Sequence, residues 1–247
     1  MLLELRRVSK RYGAMLVVPD LTLAVAEGDF VGVIGPNGAG KSTVFGLISG
    51  GLRCDAGEVL LDGINVTALE ADQRCRAGIG RTFQIPQPFQ GMTVFENALV
   101  SATFGAGLHG REAQAFARQS IDQCGLILVA DNLAASLTLL QRKRLELARA
   151  IATRPRILLL DEVAGGLTDA EMDQLLKLVV SIHQSGVTVL WIEHLVHALV
   201  SVADRLVVLA DGKVLSDGDS RTVMNDRAVR ETYLGSDIDE EARHAKH

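Results

Sequence analysis

The sequence predicts an α/β fold with a mainly parallel sheet, an antiparallel β part near the N-terminus and an inserted helical segment. Continuous apolar runs, typical of strands buried on both faces of a parallel sheet, occur at 30–34, 157–160 and 187–192. Polar–apolar alternation or a closing turn signal, typical of half-exposed antiparallel strands, occurs at 3–8, 21–25 and 58–63. The pattern between residues 92 and 153 is helical. The helical segment is therefore predicted to interrupt an α/β core.

Three helices are predicted within this segment, at 94–104, 111–125 and 138–153. Thr93 is a candidate N-cap for the first helix, and Pro155 stops the third. Four apolar residues of the third helix share one face: Leu140, Leu147, Ala148 and Ile151. Three basic residues are expected largely off that face: Arg142, Lys143 and Arg149.

The chain is predicted to form one domain over residues 1–235. Its parts are a core with the antiparallel β part (1–84 and 155–220), a helical subdomain (85–154) and a C-terminal helical extension (221–235). Residues 236–247 are charged and aperiodic, which predicts a loose tail.

The composition is that of a globular chain. Of its 247 residues, 48% are hydrophobic and 22% are charged, which allows a substantial apolar core. The net charge of −5 argues against a broad nucleic-acid-binding face, so no nucleic-acid partner is expected. The cysteines form no CxxC pair and are predicted to be free thiols: Cys54, Cys75 and Cys124. The best candidate for a membrane span, 30–52, contains seven glycines, and no signal peptide is recognised, which predicts a soluble chain.

A glycine-rich loop directly follows the apolar run 30–34. The pattern G-x-x-x-x-G-K-[ST] is matched by Gly35, Pro36, Asn37, Gly38, Ala39, Gly40, Lys41 and Ser42, followed by Thr43. Glycines let backbone N–H groups converge on phosphate oxygens, and the helix predicted at 44–50 adds a favourable dipole. Lys41 would bring positive charge to the β- and γ-phosphates, and the Ser42 hydroxyl would ligate Mg²⁺. The strand–loop–helix context favours this interpretation over a chance glycine-rich turn.

Two acids stand at the end of the second apolar run. Asp161 and Glu162 follow 157–160, and the C-terminal edge of a parallel sheet is where ligands bind. Asp161 is the expected Mg²⁺ partner, through water, and Glu162 is placed to polarise an attacking water as general base. His194 follows the third run and could contact the γ-phosphate and that water. With the glycine-rich loop, these residues indicate phosphoryl transfer.

With these elements in this order, residues 3–235 resemble the ATP-binding subunits of ABC transporters. The closest likeness is to those of branched-chain amino-acid importers, and it rests on 80–89 (GRTFQIPQPF), 92–97 (MTVFEN) and 228–235 (AVRETYLG). Importers for urea or other small amides and acids look similar. The resemblance implies a P-loop ATPase core that binds ATP and Mg²⁺ at the cytoplasmic face of the inner membrane. The implied partners are membrane permeases, a homologous ATP-binding subunit or a second copy, and indirectly a solute-binding protein.

The resemblance also implies roles for individual residues. Tyr12 would stack on adenine, and Thr43 would contact the α-phosphate. Gln84 would couple Mg²⁺ and the attacking water to the helical subdomain and the membrane subunit. Thr138 and Gln141 lie in the segment that would meet the γ-phosphate of ATP held by the opposite subunit.

Two segments depart from the family pattern. The signature Leu-Ser-Gly-Gly-Gln or Leu-Ser-Tyr-Gly-Gln reads Leu-Thr-Leu-Leu-Gln at 137–141, so the hydroxyl and the amide remain but neither glycine does. After Glu162, Val163 replaces the usual proline and Thr168 stands where Asp or Asn is usual. These changes motivate the hypothesis of a dimer with unequal sites, or of a regulatory subunit with weak catalysis.

A further alternative is a non-transport ABC ATPase that acts on DNA or ribosomes. Such relatives usually carry long coiled-coil or basic insertions, or two cassettes in one chain. This sequence has neither, and its acidic balance also counts against that alternative.

Overall fold

The structure, a computed structural model, describes residues 1–232. The strands among these residues are β1 (Leu3–Tyr12), β2 (Met15–Val25), β3 (Phe30–Ile34), β4 (Ala56–Leu61), β5 (Ile64–Asn65), β6 (Ile79–Arg81), β7 (Ile157–Asp161), β8 (Thr188–Ile192), β9 (Arg205–Ala210) and β10 (Lys213–Asp219). The α-helices are α1 (Lys41–Ser49), α2 (Ala71–Arg76), α3 (Val94–Val100), α4 (Gly110–Gln123), α5 (Leu139–Ile151), α6 (Asp169–Gln184), α7 (Val196–Val200) and α8 (Ser220–Asn225). Residues 227–232 are also helical.

The chain forms two compact units. Among the described residues, unit 1 contains 1–68 and 190–232, and unit 2 contains Leu69–Val189. Strand β8 carries the chain from unit 2 into unit 1. The predicted division into a core, a helical subdomain and a C-terminal extension stays a prediction. The end of that extension and the predicted tail, 233–247, lie outside the described residues.

Unit 1 combines an antiparallel sheet with parallel strands. The antiparallel sheet has the strand order β2-β1-β4-β5. Strand β9 lies parallel to β3, with Val31 opposite Arg205 and Ile34 opposite Val208, and β10 is antiparallel to β9. Every residue of β3 is buried, as the apolar run predicted, whereas β1 contains buried, half-buried and exposed residues.

Unit 2 combines a parallel strand pair with most of the helices. Strand β6 lies parallel to β7, with Ile79 opposite Ile157 and Arg81 opposite Leu159. All five residues of β7 are buried, as predicted. Helix α3 packs against α4 and α5. The expected parallel, antiparallel and helical parts are therefore all present among the described residues.

The chain is helical over the predicted range 94–104, but two details were not expected. The first helix was expected over 94–104, but α3 ends at Val100 and the chain continues as a π-helix over Ser101–Gly105. A Cβ on Gly105 would lie 2.6 Å from the Thr153 methyl carbon, so close packing shapes this end. Lys143 was expected largely off the apolar face of α5, but it is buried. The reason is that α5 is covered on more than one face, because Glu146 is buried as well.

The three cysteines are free thiols, as predicted, and Cys124 is buried. Among residues 1–232, no helix has both the length and the apolar character that a membrane span requires.

Candidate functional site

The glycine-rich loop, residues 35–43, joins β3 to α1 in unit 1 and is called the phosphate loop below. Helix α1 begins at Lys41, earlier than the predicted 44–50, and its N-cap is Gly40. Gly40 has φ 91 and ψ 8, in the left-handed region that favours glycine. The Val44 N–H donates to the Gly40 carbonyl at 2.9 Å, which closes the first turn. Helix α1 therefore begins at the end of the loop and places a helix N-terminus there.

Gly35 is required by packing as well as by any ligand. A Cβ at this position would overlap the carbonyl oxygen of Leu209 on β9. The loop must therefore leave β3 against the backbone of a neighbouring strand. This close approach explains why the first glycine of the motif tolerates no side chain, independently of phosphate.

The Lys41 side chain is buried against its own loop. Its ammonium nitrogen donates to the carbonyls of Gly35 at 2.7 Å and Pro36 at 3.1 Å. These bonds hold the positive charge within the phosphate loop. Ser42 is exposed and Thr43 is half-buried, so neither residue is confined to the interior.

The hairpin that carries Tyr12 contacts the phosphate loop. Tyr12 is exposed at the end of β1, opposite Met15, and the Lys10 ammonium lies 5.8 Å from its ring centroid. On β2 of the same hairpin, the Val17 carbonyl oxygen is 3.5 Å from the place that a Cβ on Gly40 would occupy. The structure thus places the predicted adenine-stacking residue on an element adjacent to the loop. The stacking role itself stays a prediction.

His194 also belongs to unit 1. It is exposed just beyond β8, a strand that is next to β3 in the sheet. Its backbone N–H donates to the buried Glu193 carboxylate at 3.3 Å. The predicted contact of His194 with the γ-phosphate stays a prediction.

Unit 2 brings three predicted residues together at the ends of β6 and β7: Gln84, Asp161 and Glu162. Asp161 is the last residue of β7, and the Gln84 side-chain amide donates to the carboxylate of Glu162. Glu162 has φ 47, which is uncommon for a residue with a side chain and is characteristic of strained functional positions.

Sequence reasoning missed Arg81 and Thr82 in this cluster. The Arg81 guanidinium forms an ion pair with Asp161, with Nη2 and Oδ2 2.9 Å apart. The Thr82 N–H donates to the Leu159 carbonyl at 2.9 Å, and the Thr82 hydroxyl accepts from the Asp161 N–H at 3.4 Å. Both residues lie in the 80–89 segment, but only the strand register identifies their partners.

The altered signature segment forms the N-terminus of α5. Thr138 is the N-cap: its hydroxyl accepts from the Gln141 N–H at 3.3 Å, and the Gln141 side chain accepts from the Thr138 N–H at 3.0 Å. The next residue, Leu139, is 41% exposed, with Cδ2 3.4 Å from the place that a Cβ on Gly166 would occupy. The hydroxyl and amide thus have a structural role in capping, and their nucleotide contacts stay predictions. Thr168 caps α6 in the same way.

The predicted Mg²⁺ ligands are oxygen donors of three kinds: the Ser42 hydroxyl, the Gln84 amide and the Asp161 carboxylate. Among residues 1–232, no group of three or more His, Cys, Asp or Glu side chains is arranged to hold a metal ion. Mg²⁺ in nucleotide sites keeps several waters and uses one or two carboxylates together with phosphate oxygens. The Gln84 amide and the Asp161 carboxylate of unit 2 are oxygen donors of the type that Mg²⁺ takes, and the Mg²⁺ roles of Ser42, Gln84 and Asp161 stay predictions.

Comparison with known proteins decides the family. The family model described as ABC transporter matches residues 18–165, more than half of the chain. This chain belongs to the ABC transporter family. It is similar to the high-affinity branched-chain amino acid transport ATP-binding protein BraF of Pseudomonas aeruginosa, with 37% identity over 95% of this chain and 98% of the relative. It is also similar to the lipopolysaccharide export system ATP-binding protein LptB of Haemophilus influenzae, with 32% identity over 95% of this chain and 97% of the relative.

Solved structures of ATP-binding cassettes share the fold. A nucleotide-free cassette from an ABC transporter superposes with a TM-score of 0.86 at 28% identity, over 94% of this chain and 98% of that one. A dimeric cassette in a post-hydrolysis state, bound to ADP and Pi, gives a TM-score of 0.78 at 26% identity, over 89% and 99% of the two chains. The predicted fold class is confirmed. ATP-binding subunits of this family are ATPases, so the chain is an ATP-binding ATPase.

Replacement of Lys41 by alanine should weaken nucleotide binding and abolish turnover. The change removes the ammonium that the phosphate loop holds against its own carbonyls and with it the positive charge for the phosphates. We expect a loss of affinity for a fluorescent ATP analogue of at least about tenfold, with no measurable phosphate release. Lys177→Ala, on the exposed side of α6, is the control and should change neither the affinity for the analogue nor the rate of phosphate release. Equal losses in both variants would contradict a specific role for Lys41.

Replacement of Glu162 by glutamine should separate binding from hydrolysis. The new amide oxygen can still accept from Gln84, but the group can no longer take a proton from water. Hydrolysis should fall by about 10²- to 10⁴-fold, the usual contribution of a general base, with ATP affinity retained. Glu171→Gln, in the capping box of α6, is the matched control. Hydrolysis by Glu162→Gln at the parental rate would show that Glu162 is not the base.

Proposed function

We propose that this chain is the ATP-hydrolysing subunit of an importer for branched-chain amino acids. The observation that carries the proposal is the 37% identity, over nearly the whole of both chains, to a branched-chain amino acid transport ATP-binding protein. The 80–89 segment, which contains Arg81, Thr82 and Gln84, supports the same class by resemblance. The chain would work at the cytoplasmic face of the inner membrane with permease subunits and, through them, a solute-binding protein.

The residues of each unit have separate tasks in this proposal. In unit 1, Lys41 and the N–H groups of the phosphate loop bind the phosphates, and Tyr12 stacks on adenine. In unit 2, Glu162 takes the proton of the attacking water. Magnesium, held by Ser42, Gln84 and Asp161 with water, would neutralise phosphate charge. His194 contacts the γ-phosphate.

The bond between Gln84 and Glu162 suggests how hydrolysis is coupled to transport. Gln84 lies in the 80–89 segment and touches the base directly. A displacement of this segment by a membrane subunit would therefore move or release Glu162. Two ATP-binding subunits would form a head-to-tail dimer that closes when ATP binds and reopens after hydrolysis.

Lipopolysaccharide export is the second candidate function. The specific observation that favours it is the 32% identity to LptB of Haemophilus influenzae over 95% of this chain. Import of urea or another small polar solute is a variant of the first candidate and predicts the same ATPase chemistry.

A deletion strain distinguishes the candidates. The gene is deleted and replaced by the parental sequence or by Glu162→Gln, and uptake of labelled leucine, isoleucine and valine is measured beside outer-membrane permeability. We expect loss of uptake in the deletion, rescue by the parental chain and no rescue by Glu162→Gln. Normal uptake with a leaky outer membrane would support lipopolysaccharide export and contradict the import proposal.

In a heterodimer with a homologous ATP-binding subunit that carries an intact signature, the two ATP sites should contribute unequally. Leu139 and Leu140 occupy the first two positions of α5, where signature glycines would let the backbone approach the γ-phosphate of the opposite subunit's ATP. In the assembled transporter, single-turnover hydrolysis is compared for Glu162→Gln in this chain and for the equivalent change in the partner. We expect the change in this chain to remove most of the hydrolysis and the change in the partner to remove little. Equal losses would contradict the unequal-site hypothesis.

A further inference from the structure

We propose that Arg81 is a positioning residue for Asp161, and that its guanidinium competes with the divalent cation for that carboxylate. The pair would therefore set the concentration of Mg²⁺ at which the chain binds Mg²⁺–nucleotide. This inference rests on the proposed function, because it takes Asp161 as the acid that receives Mg²⁺.

Strand register brings the two side chains together. Arg81 ends β6 opposite Leu159, and Asp161 ends β7 two residues further on. Because side chains alternate along a strand, Leu159 and Asp161 point to the same face. The distance between Arg81 Nη2 and Asp161 Oδ2 is 2.9 Å. A hydrogen bond from the Asp161 backbone N–H to the Thr82 hydroxyl also joins the ends of the two strands.

The ion pair between Arg81 and Asp161 is largely buried. The side chains of Arg81 and Asp161 are only 18% and 8% exposed. A carboxylate so little solvated requires a compensating charge, and the guanidinium supplies one when no metal is bound.

The same charge opposes metal binding. A divalent cation is attracted by the negative charge of Asp161, and a guanidinium 2.9 Å from that carboxylate cancels much of its field. Removal of the guanidinium should therefore strengthen the attraction of Asp161 for Mg²⁺. It should also destabilise the chain when Mg²⁺ is absent, because a buried carboxylate then loses its ion pair with Arg81.

The chain offers a closely matched control pair. Arg149 and Glu146 are joined at 2.7 Å between Nη1 and Oε1, with side chains 21% and 5% exposed, and they also lie in unit 2. Glu146 has no proposed role in metal binding. Arg149→Gln removes an ion pair of similar length and burial, together with the hydrogen bond from Arg149 to the Gln87 carbonyl, while Arg81→Gln removes the ion pair at Asp161. Arg81→Lys retains the charge and is the conservative variant.

The first measurement is thermal unfolding of the full chain in EDTA and in excess Mg²⁺–ADP. Arg81→Gln should lower the midpoint in EDTA by several degrees, on the scale of about 2–4 °C for each kcal/mol in a chain of this size. Saturating Mg²⁺–ADP should restore most of that loss, because the metal replaces the missing positive charge. The unfolding midpoint of Arg149→Gln should fall by the same number of degrees in both conditions. The midpoint of Arg81→Lys should stay near the parental value.

The second measurement is the free Mg²⁺ concentration that gives half-maximal binding of a fluorescent ADP analogue. Arg81→Gln should need less Mg²⁺ than the parental chain, by a factor on the order of ten. Arg149→Gln and Arg81→Lys should match the parental value.

An unchanged or higher Mg²⁺ requirement in Arg81→Gln would overturn the inference, as would a loss of midpoint that persists equally in Mg²⁺–ADP. Either result would make Arg81 a structural residue only. If the parental chain binds the analogue without any dependence on Mg²⁺, the Asp161 assignment in the proposed function fails and this inference fails with it. The parental control therefore distinguishes the two failures.

Discussion

The burial of three strands constrains the rest of this structure. Strands β3, β7 and β8 are buried at every position, so their side chains serve almost entirely for packing. Polar side chains that could contact a ligand are therefore expected at the ends of these strands. The phosphate loop leaves the end of β3, Asp161 closes β7 and His194 lies just beyond β8. In each unit the predicted site residues lie at strand ends, because the strands themselves are filled by packing side chains.

The shape of the phosphate loop depends on two glycines. Gly35 must lack a side chain because the Leu209 carbonyl occupies that space, and Gly40 must adopt a positive φ where α1 begins. In the same loop, the Lys41 ammonium donates to the carbonyls of Gly35 and Pro36. Packing against β9 thus helps to fix the shape of the predicted phosphate loop.

In the signature segment, the start of helix α5 does not depend on the glycines of the family pattern. Thr138 and Gln141 form a reciprocal capping box, so α5 begins normally although both signature glycines are leucines. Stability of the helix therefore does not require the glycines. Leu139, exposed beside Gly166, and Leu140, half-buried, stand at the glycine positions in the first turn of α5.

The sequence by itself determined the fold class, because apolar runs are local patterns. Local patterns also singled out the phosphate loop, Asp161 and Glu162 as predicted site residues. Local patterns did not predict the burial of Lys143 or the π-helix at 101–105, since both depend on what packs against the helix. Only the tertiary structure decided that Arg81 pairs with Asp161 and Gln84 with Glu162. Each of these pairs joins residues about 80 positions apart, and the parallel register of β6 and β7 brings them together. Register is a property of two paired strands, which is why neither strand's own sequence contains it.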